Sequence, residues 1–233
     1  MEIRNAVALV TGANRGLGRH LAADLLERGA KVYAAARNPG AVDLPGAVPL
    51  ALDITDPDAV AAAVAAAGDV TLLVNNAGSS TGAGLLDGDL ADIRLEMETH
   101  YFGTLGMVRA FAPVIEANGG GGILNVLSVL SWVHPVPSAA YTAAKAAAWA
   151  LTDAVRLELA PKGIVTTALH VGYMDTDMAA HVDGPKSDPV IVAKQALDAV
   201  AAGEYEVLAD ELSNRVRAGL AGGVAALYPQ LAG

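Results

Sequence analysis

Thr11-Gly12-Ala13-Asn14-Arg15-Gly16-Leu17-Gly18 is the stretch on which the reading of the fold turns. Before it, residues 7–11 form a short apolar run that reads as a buried strand. After it, residues 19–28 carry apolar positions at helical spacing, and Gly29 supplies a stop. Glycines in such a turn permit a tight strand-to-helix connection and a close approach of the backbone to an anion. The following helix directs its first N–H groups and the positive end of its dipole at the same point. A glycine motif alone is weak, but strand before and helix after are the context that makes it an expected pyrophosphate site. A plain structural turn is the alternative.

Outward from that turn, the pattern keeps alternating. Residues 31–36, 48–52, 71–75, 123–127, 165–171 and 206–209 read as strands. Helices are expected at 58–67, where Asp56-Pro57 supplies an N-cap and a first-turn proline, and at 93–118, closed by the glycines of 119–122. Two more are expected at 139–160, stopped by Pro161-Lys162-Gly163, and at 189–202. Short apolar strands alternating with helices predict an α/β fold: a doubly wound parallel sheet in a Rossmann-like three-layer αβα arrangement. No repeat or linker divides the chain, so residues 1–233 are read as a single domain. Residues 173–188 lack periodicity. A substrate-binding loop and an ordinary surface connection both fit them.

Composition narrows the function. With 15 Lys and Arg against 25 Asp and Glu, the net charge is −10 and the isoelectric point about 4.8. Such a surface repels phosphate backbones, so no nucleic-acid partner is expected. Any bound phosphate must be held by local positive charge and backbone N–H groups. The absence of cysteine removes disulfides, thiol nucleophiles and thiolate metal sites. The five histidines are scattered without ligand spacing, so no metal is expected. Met1 to Asn5 run straight into the first strand, leaving no room for a signal peptide, and apolar runs break before membrane-spanning length. A cytoplasmic protein with no membrane partner is the expectation.

Further markers follow in order: Asp53 after the third strand, Asn75-Asn76-Ala77-Gly78 after the fourth, and Ser128 after the fifth. Tyr141-x-x-x-Lys145 opens a long helix, and Gly172 with Thr176 follows the sixth strand. With the spacing Thr-Gly-x-x-x-Gly-x-Gly, this set resembles the short-chain dehydrogenase/reductase family over nearly the whole chain. The resemblance implies a nicotinamide cofactor held by Gly12, Asn14, Arg15, Gly16, Leu17 and Gly18. It extends the cofactor contacts to Ile54, Asn76, Ala77, Gly78, Gly172, Met174 and Thr176, with Thr176 on the carboxamide. Asp53 would meet the adenine amino group; capping the turn before Asp56-Pro57 is its other reading.

An acid at the end of the second strand would bind ribose hydroxyls and repel a 2′-phosphate. Here that strand ends in Arg37, a planar and permanently charged fork suited to phosphate. Arg15 in the glycine turn is placed to approach from the other side, and basic residues at both positions mark NADP(H) preference in the family. Two solvated surface arginines are the bland alternative.

Tyr141 and Lys145 share one helix face. An ammonium group near a phenol stabilises the phenolate and lowers its pKa, which suits proton transfer. Ser128, at the C-terminal edge of the sheet, is placed to polarise a substrate carbonyl. Ser131 is a rival, but the 13 residues from Ser128 to Tyr141 match the family pattern. By resemblance, hydride comes from NADPH, the proton from Tyr141, and Lys145 also holds the nicotinamide ribose.

The chain departs from the family at His100, where an asparagine usually helps hold a water linking the lysine to solvent. His100 is open to three readings: the relay itself, a tolerated replacement, or a sign of altered chemistry. His100→Asn is expected to retain or raise activity. Val171 stands where a proline usually precedes Gly172. Residues 132–137 commonly wall the substrate pocket in the family, so Trp132, His134 and Ser131, with Tyr173 beyond, are candidate pocket residues. Reduction of a ketone or aldehyde is the leading expectation. Imine reduction and a non-enzymatic NADP-binding sensor are the alternatives. The long helices at 93–118 and 139–160 would pair subunits into a homodimer or homotetramer by resemblance. Residues 215–231 would complete the pocket or a second interface.

Overall fold

The computed structural model describes residues 1–135 and 138–231; Val136 and Pro137 of the expected pocket wall lie outside them. Among the described residues, seven strands form one sheet: β1 (Val7–Thr11), β2 (Lys31–Ala36), β3 (Val48–Ala51), β4 (Leu72–Asn75), β5 (Gly121–Val126), β6 (Ile164–His170) and β7 (Glu206–Leu208). Their order is β3-β2-β1-β4-β5-β6-β7, and every pairing is parallel. Central strands are buried on both faces, which is why they read as unbroken apolar runs.

Helices cover both faces. On one side α1 (Gly16–Glu27) and α6 (Pro189–Ala202) pack Leu21, Leu25, Ala196 and Leu197 against Val10, Val32 and Val74. On the other, α2 (Pro57–Ala66), α4 (Thr104–Ala117) and α5 (Ala139–Leu159) bury Val60, Phe111, Ile115 and Leu151 against Leu9, Leu73 and Ile123. The doubly wound three-layer arrangement is therefore present. Its order reverses between β1 and β4, the place where open α/β sheets leave a crevice at their strand ends.

Three local differences have physical reasons. Helix α1 begins at Gly16 rather than residue 19, so the end of the glycine turn is already helical. The expected 93–118 helix is three joined pieces: α3 (Leu90–Met97), a π-helical turn (Glu98–Gly103) and α4. It starts earlier because the Asp89 carboxylate accepts the Ala91 N–H as an N-cap. Residues beyond β7, to which the sequence reading assigned no helix, form α7 (Glu211–Gly219) and α8 (Gly223–Leu227). Asp210 caps α7 by accepting the Ser213 N–H at 2.7 Å. Among the described residues, no helix is long and apolar enough to cross a membrane, and no group of three or more His, Cys, Asp or Glu could hold a metal ion.

Candidate active site

The strand ends open on a cleft of about 820 Å³. Gly12, Asn14, Arg15, Gly16 and Leu17 line one end of it. Gly12 has φ +66°, and a Cβ there would meet Ala77 Cα at 3.0 Å, so the turn needs glycine for both conformation and space. Gly18 does not line the cleft. A Cβ on it would stand 2.3 Å from the Gly12 carbonyl oxygen, so this glycine lets α1 pack closely against the turn. Thr11 Oγ1 accepts the N–H groups of Asn76 and Ala77, and Asn76 Nδ2 donates to the Thr11 carbonyl at 2.9 Å. The start of the Asn76-Ala77-Gly78 segment thus braces the glycine turn as well as lining the cleft.

Arg37, Asp53 and Ile54 form a second wall. The Asp53 carboxylate accepts the Thr55 N–H at 3.0 Å and the Thr55 hydroxyl at 2.7 Å. These bonds, with Arg37 nearby, hold it below the usual carboxylate range. The turn-capping role of Asp53 is thus present in the geometry. Arg15 lies 3.7 Å from Asp177 with both side chains largely exposed, a pair that contributes little to stability.

Ser128, Tyr141, Lys145 and His100 meet at the inner end. Ser128 follows β5, and its hydroxyl oxygen accepts the Leu130 N–H at 3.1 Å. Behind it, the fully buried His170 ring places Nδ1 3.2 Å from the Ser128 carbonyl oxygen. Lys145 is buried and donates to the Val126 carbonyl at 2.8 Å, with its Nζ 5.6 Å from the Tyr141 ring centroid. That corrects the expected electrostatics. Burial pushes the Tyr141 phenol well above its ordinary value of 10; the Ser128 hydroxyl opposes this, while Glu96 and Tyr173 add to it. Burial also brings Lys145 down to about 8 despite the nearby Glu96 carboxylate. Tyr141 therefore holds its proton firmly.

Gly172, Tyr173, Met174 and Thr176 close the cleft from the β6 side, with the Thr176 methyl 3.6 Å from where a Gly16 Cβ would be. Three expected pocket residues lie elsewhere. Trp132 is buried, stacked on His170 at 3.9 Å and edge-on to Trp149. Ser131 is buried with its hydroxyl unpartnered, and His134 lies outside the cleft with its N–H on the Tyr228 hydroxyl at 3.1 Å. The short helical turn after Ser128 leaves Val133 on the cleft but carries Trp132 under Arg217 of α7 and His134 to Tyr228 at the end of α8. Leu212 from α7 lines the cleft in their place.

Asp210 and Glu96 were not singled out from sequence. Asp210 accepts the Gly172 N–H at 2.6 Å and the Ser187 hydroxyl at 3.3 Å, tying both ends of residues 173–188 to the cap of α7. Only its place before a helix offered a cue, and that helix was not expected.

A doubly wound parallel sheet with a glycine turn at its switch point and Ser, Tyr and Lys across the same cleft defines a class of dinucleotide-fold oxidoreductases. The short chain dehydrogenase family model matches residues 6–186, and the chain belongs to that family. A crystal structure of a short chain dehydrogenase from Burkholderia cenocepacia J2315 in complex with NADP is 42% identical with a TM-score of 0.94, covering 99% of both chains. The NADPH-dependent 1-acyldihydroxyacetone phosphate reductase of Schizosaccharomyces pombe is 33% identical over 78% of this chain and 64% of its own length. The 3-oxoacyl-[acyl-carrier-protein] reductase FabG of Vibrio cholerae is 32% identical over 76% of this chain and 77% of its own. The chain spans just under two thirds of the length of the first curated relatives it matches.

Proposed function

We propose that the protein is an NADPH-dependent reductase of ketones or aldehydes, reversible as an alcohol dehydrogenase. The observation that carries this is the meeting of Ser128, Tyr141 and Lys145 in one cleft whose other end is the glycine turn. The cradle fits a dinucleotide: the glycine turn lines the cleft at the start of α1, and Arg15 and Arg37 bring positive charge to the cleft of an acidic protein. The NADP complex of the Burkholderia cenocepacia relative and the NADPH dependence of the fission yeast one support the choice of cofactor.

Bound there, NADPH supplies the hydride. The protein's groups do the rest. Ser128 donates a hydrogen bond to the substrate oxygen and stabilises the charge that grows on it. Tyr141, protonated and desolvated, gives its proton to that oxygen. Lys145 holds a positive charge within reach of the phenolate left behind and binds the nicotinamide ribose. Asp53 would meet the adenine and Thr176 the carboxamide. Leu95, Val129, Leu130, Val133, Met178 and Leu212 make the remaining wall apolar, which suits a small to medium apolar substrate held by the 173–188 loop. The reading carries a cytoplasmic setting and assembly with further copies of the chain.

Loss of reduced-nicotinamide absorbance against a panel of ketones, aldehydes and cyclic imines tests this, with NADH and Tyr141→Phe as controls. Turnover with NADPH that falls by at least about 100-fold in Tyr141→Phe is the expected result. Turnover of imines alone shifts the reaction class. Binding of NADPH without turnover of any acceptor overturns the enzyme reading in favour of a sensor.

A further inference from the structure

Glu96 is a buried acid that this chemistry does not yet use. It lies at the end of α3, one helical turn before His100, with 0% exposure. Its Oε1 accepts the Thr81 N–H. Its Oε2 accepts the Ser79 hydroxyl at 2.9 Å and stands 3.2 Å from His100 Nε2. The Ser79 carbonyl oxygen lies 2.9 Å from the same nitrogen. Burial would raise the Glu96 carboxyl, but His100, the Thr81 N–H and the Ser79 hydroxyl outweigh it and hold the group at about 2. Nε2 therefore faces two close acceptors, one of them ionised, against one longer approach from the Ser79 N–H at 3.4 Å, and carries the ring proton.

That leaves Nδ1 with its lone pair and no hydrogen-bond partner among the described residues. The ring lines the cleft edge-on to Tyr141, with centroids 5.1 Å apart. The titratable groups facing it are Glu96 from its own helix and Tyr141 and Lys145 from α5; residues 79–81 present only backbone and hydroxyl groups. Burial and Lys145 keep the ring neutral by lowering its pKa, while Glu96 opposes them.

We propose that Glu96 is a positioning residue whose carboxylate sets His100 as the Nε2–H tautomer, so that Nδ1 becomes the proton acceptor that recharges Tyr141. This rests on the reductase reading. In reduction the Tyr141 proton goes to the substrate oxygen. A solvent proton taken up at Nδ1 gives the imidazolium, which returns that proton to the phenolate, directly or through one water, and reverts to neutral imidazole. Oxidation runs the same transfers backwards. A carboxylate is required because both of its oxygens face donors. Glutamine at 96 would set its NH₂ against either the Thr81 N–H or the His100 Nε2–H.

Nitrogen-15 NMR of the histidine-labelled, cofactor-free protein reads the tautomer without turnover. Wild type is expected to show His100 protonated at Nε2 and bare at Nδ1, and Glu96→Gln to disturb that state. In the alcohol-oxidation direction, the rate is expected to fall as pH drops through the His100 value, below its ordinary 6.5. Glu96→Gln lowers kcat by about tenfold with little change in KM and moves that limb to lower pH. His100→Asn loses the limb, because the titrating acceptor is gone. Adding Glu96→Gln to it changes kcat by less than about twofold. An Nδ1–H tautomer in wild type overturns the proposal, as does an equal loss from Glu96→Gln in both backgrounds. Absence of any turnover by wild type sinks the reductase reading instead, and the NMR result still decides what Glu96 does to His100.

Discussion

In the proposed reading, cofactor choice rests on Arg37. It lines the cleft just after β2, where an acid would favour unphosphorylated ribose. A charge-assisted fork to phosphate contributes roughly 1.5–3 kcal/mol, so Arg37→Ser is expected to raise KM for NADPH by at least about tenfold. The NADH constants should hardly move, and steady-state kinetics with both cofactors checks this. Equal weakening of both would mean that Arg37 shapes the turn rather than reads the phosphate. Lys145 teaches a related lesson. Proximity on one helix face suggested an ammonium that lowers the Tyr141 pKa, but the ammonium points at the Val126 carbonyl and desolvation dominates both groups.

At the scale of elements, the question is what holds α5 at the right height above the sheet. A buried chain of amides does so: Asn75 on β4 donates to Asn125 on β5 at 2.9 Å, and Asn125 donates to Thr152 on α5 at 3.0 Å. Thr152 in turn donates to the Ala148 carbonyl at 2.7 Å. Asn125→Leu keeps the volume but strips Asn75 of its acceptor in a dry interior. A loss of about 2 kcal/mol in urea unfolding is expected. The π turn is the second device of this kind, since single π turns recur at functional sites. It brings His100 to the cleft and packs Gly103 on Ile54, where a Cβ would come within 2.9 Å. Asp210 is the third. Asp210→Ala should free both ends of residues 173–188, seen as faster limited proteolysis there and a KM that rises more than kcat falls.

Several buried ionisable groups among the described residues make stability depend on pH, His170 and Glu96 among them. His170 is fully buried and held down to about 4, first by desolvation. Below 6.5 the unfolded chain takes a proton that the folded His170 refuses, so stability declines from there to about pH 4, by about 3 kcal/mol in all. Glu96, held at about 2, contributes stability that is complete above its ordinary 4.5 and is lost as pH falls through about 2. Melting temperature followed from pH 7 downward should therefore begin to fall in the His170 window, and His170→Gln should flatten that first segment. An unchanged slope in the variant would mean that the protons bind elsewhere.

The alternation of strands and helices and the glycine turn were legible because each rests on local pattern; Ser128, Tyr141 and Lys145 were legible through the family resemblance, since a Tyr-x-x-x-Lys pair alone is an ordinary helix pairing. Period, punctuation and a parallel sheet put all strand ends on one edge, so residues just after β1, β4, β5 and β6 must meet. What local pattern could not supply was decided by contacts between distant parts of the chain. Trp132 and His134 turn toward α7 and the end of α8, where the sequence suggested a pocket wall. Asp210 reaches Gly172 across 38 positions, and Asn125 reaches Thr152 across 27. Residue order by itself determined the class of fold and the chemical groups at its edge. Which of those groups are dry, and hence which hold or release protons, was decided only by tertiary structure, because desolvation is a property of everything packed around a group.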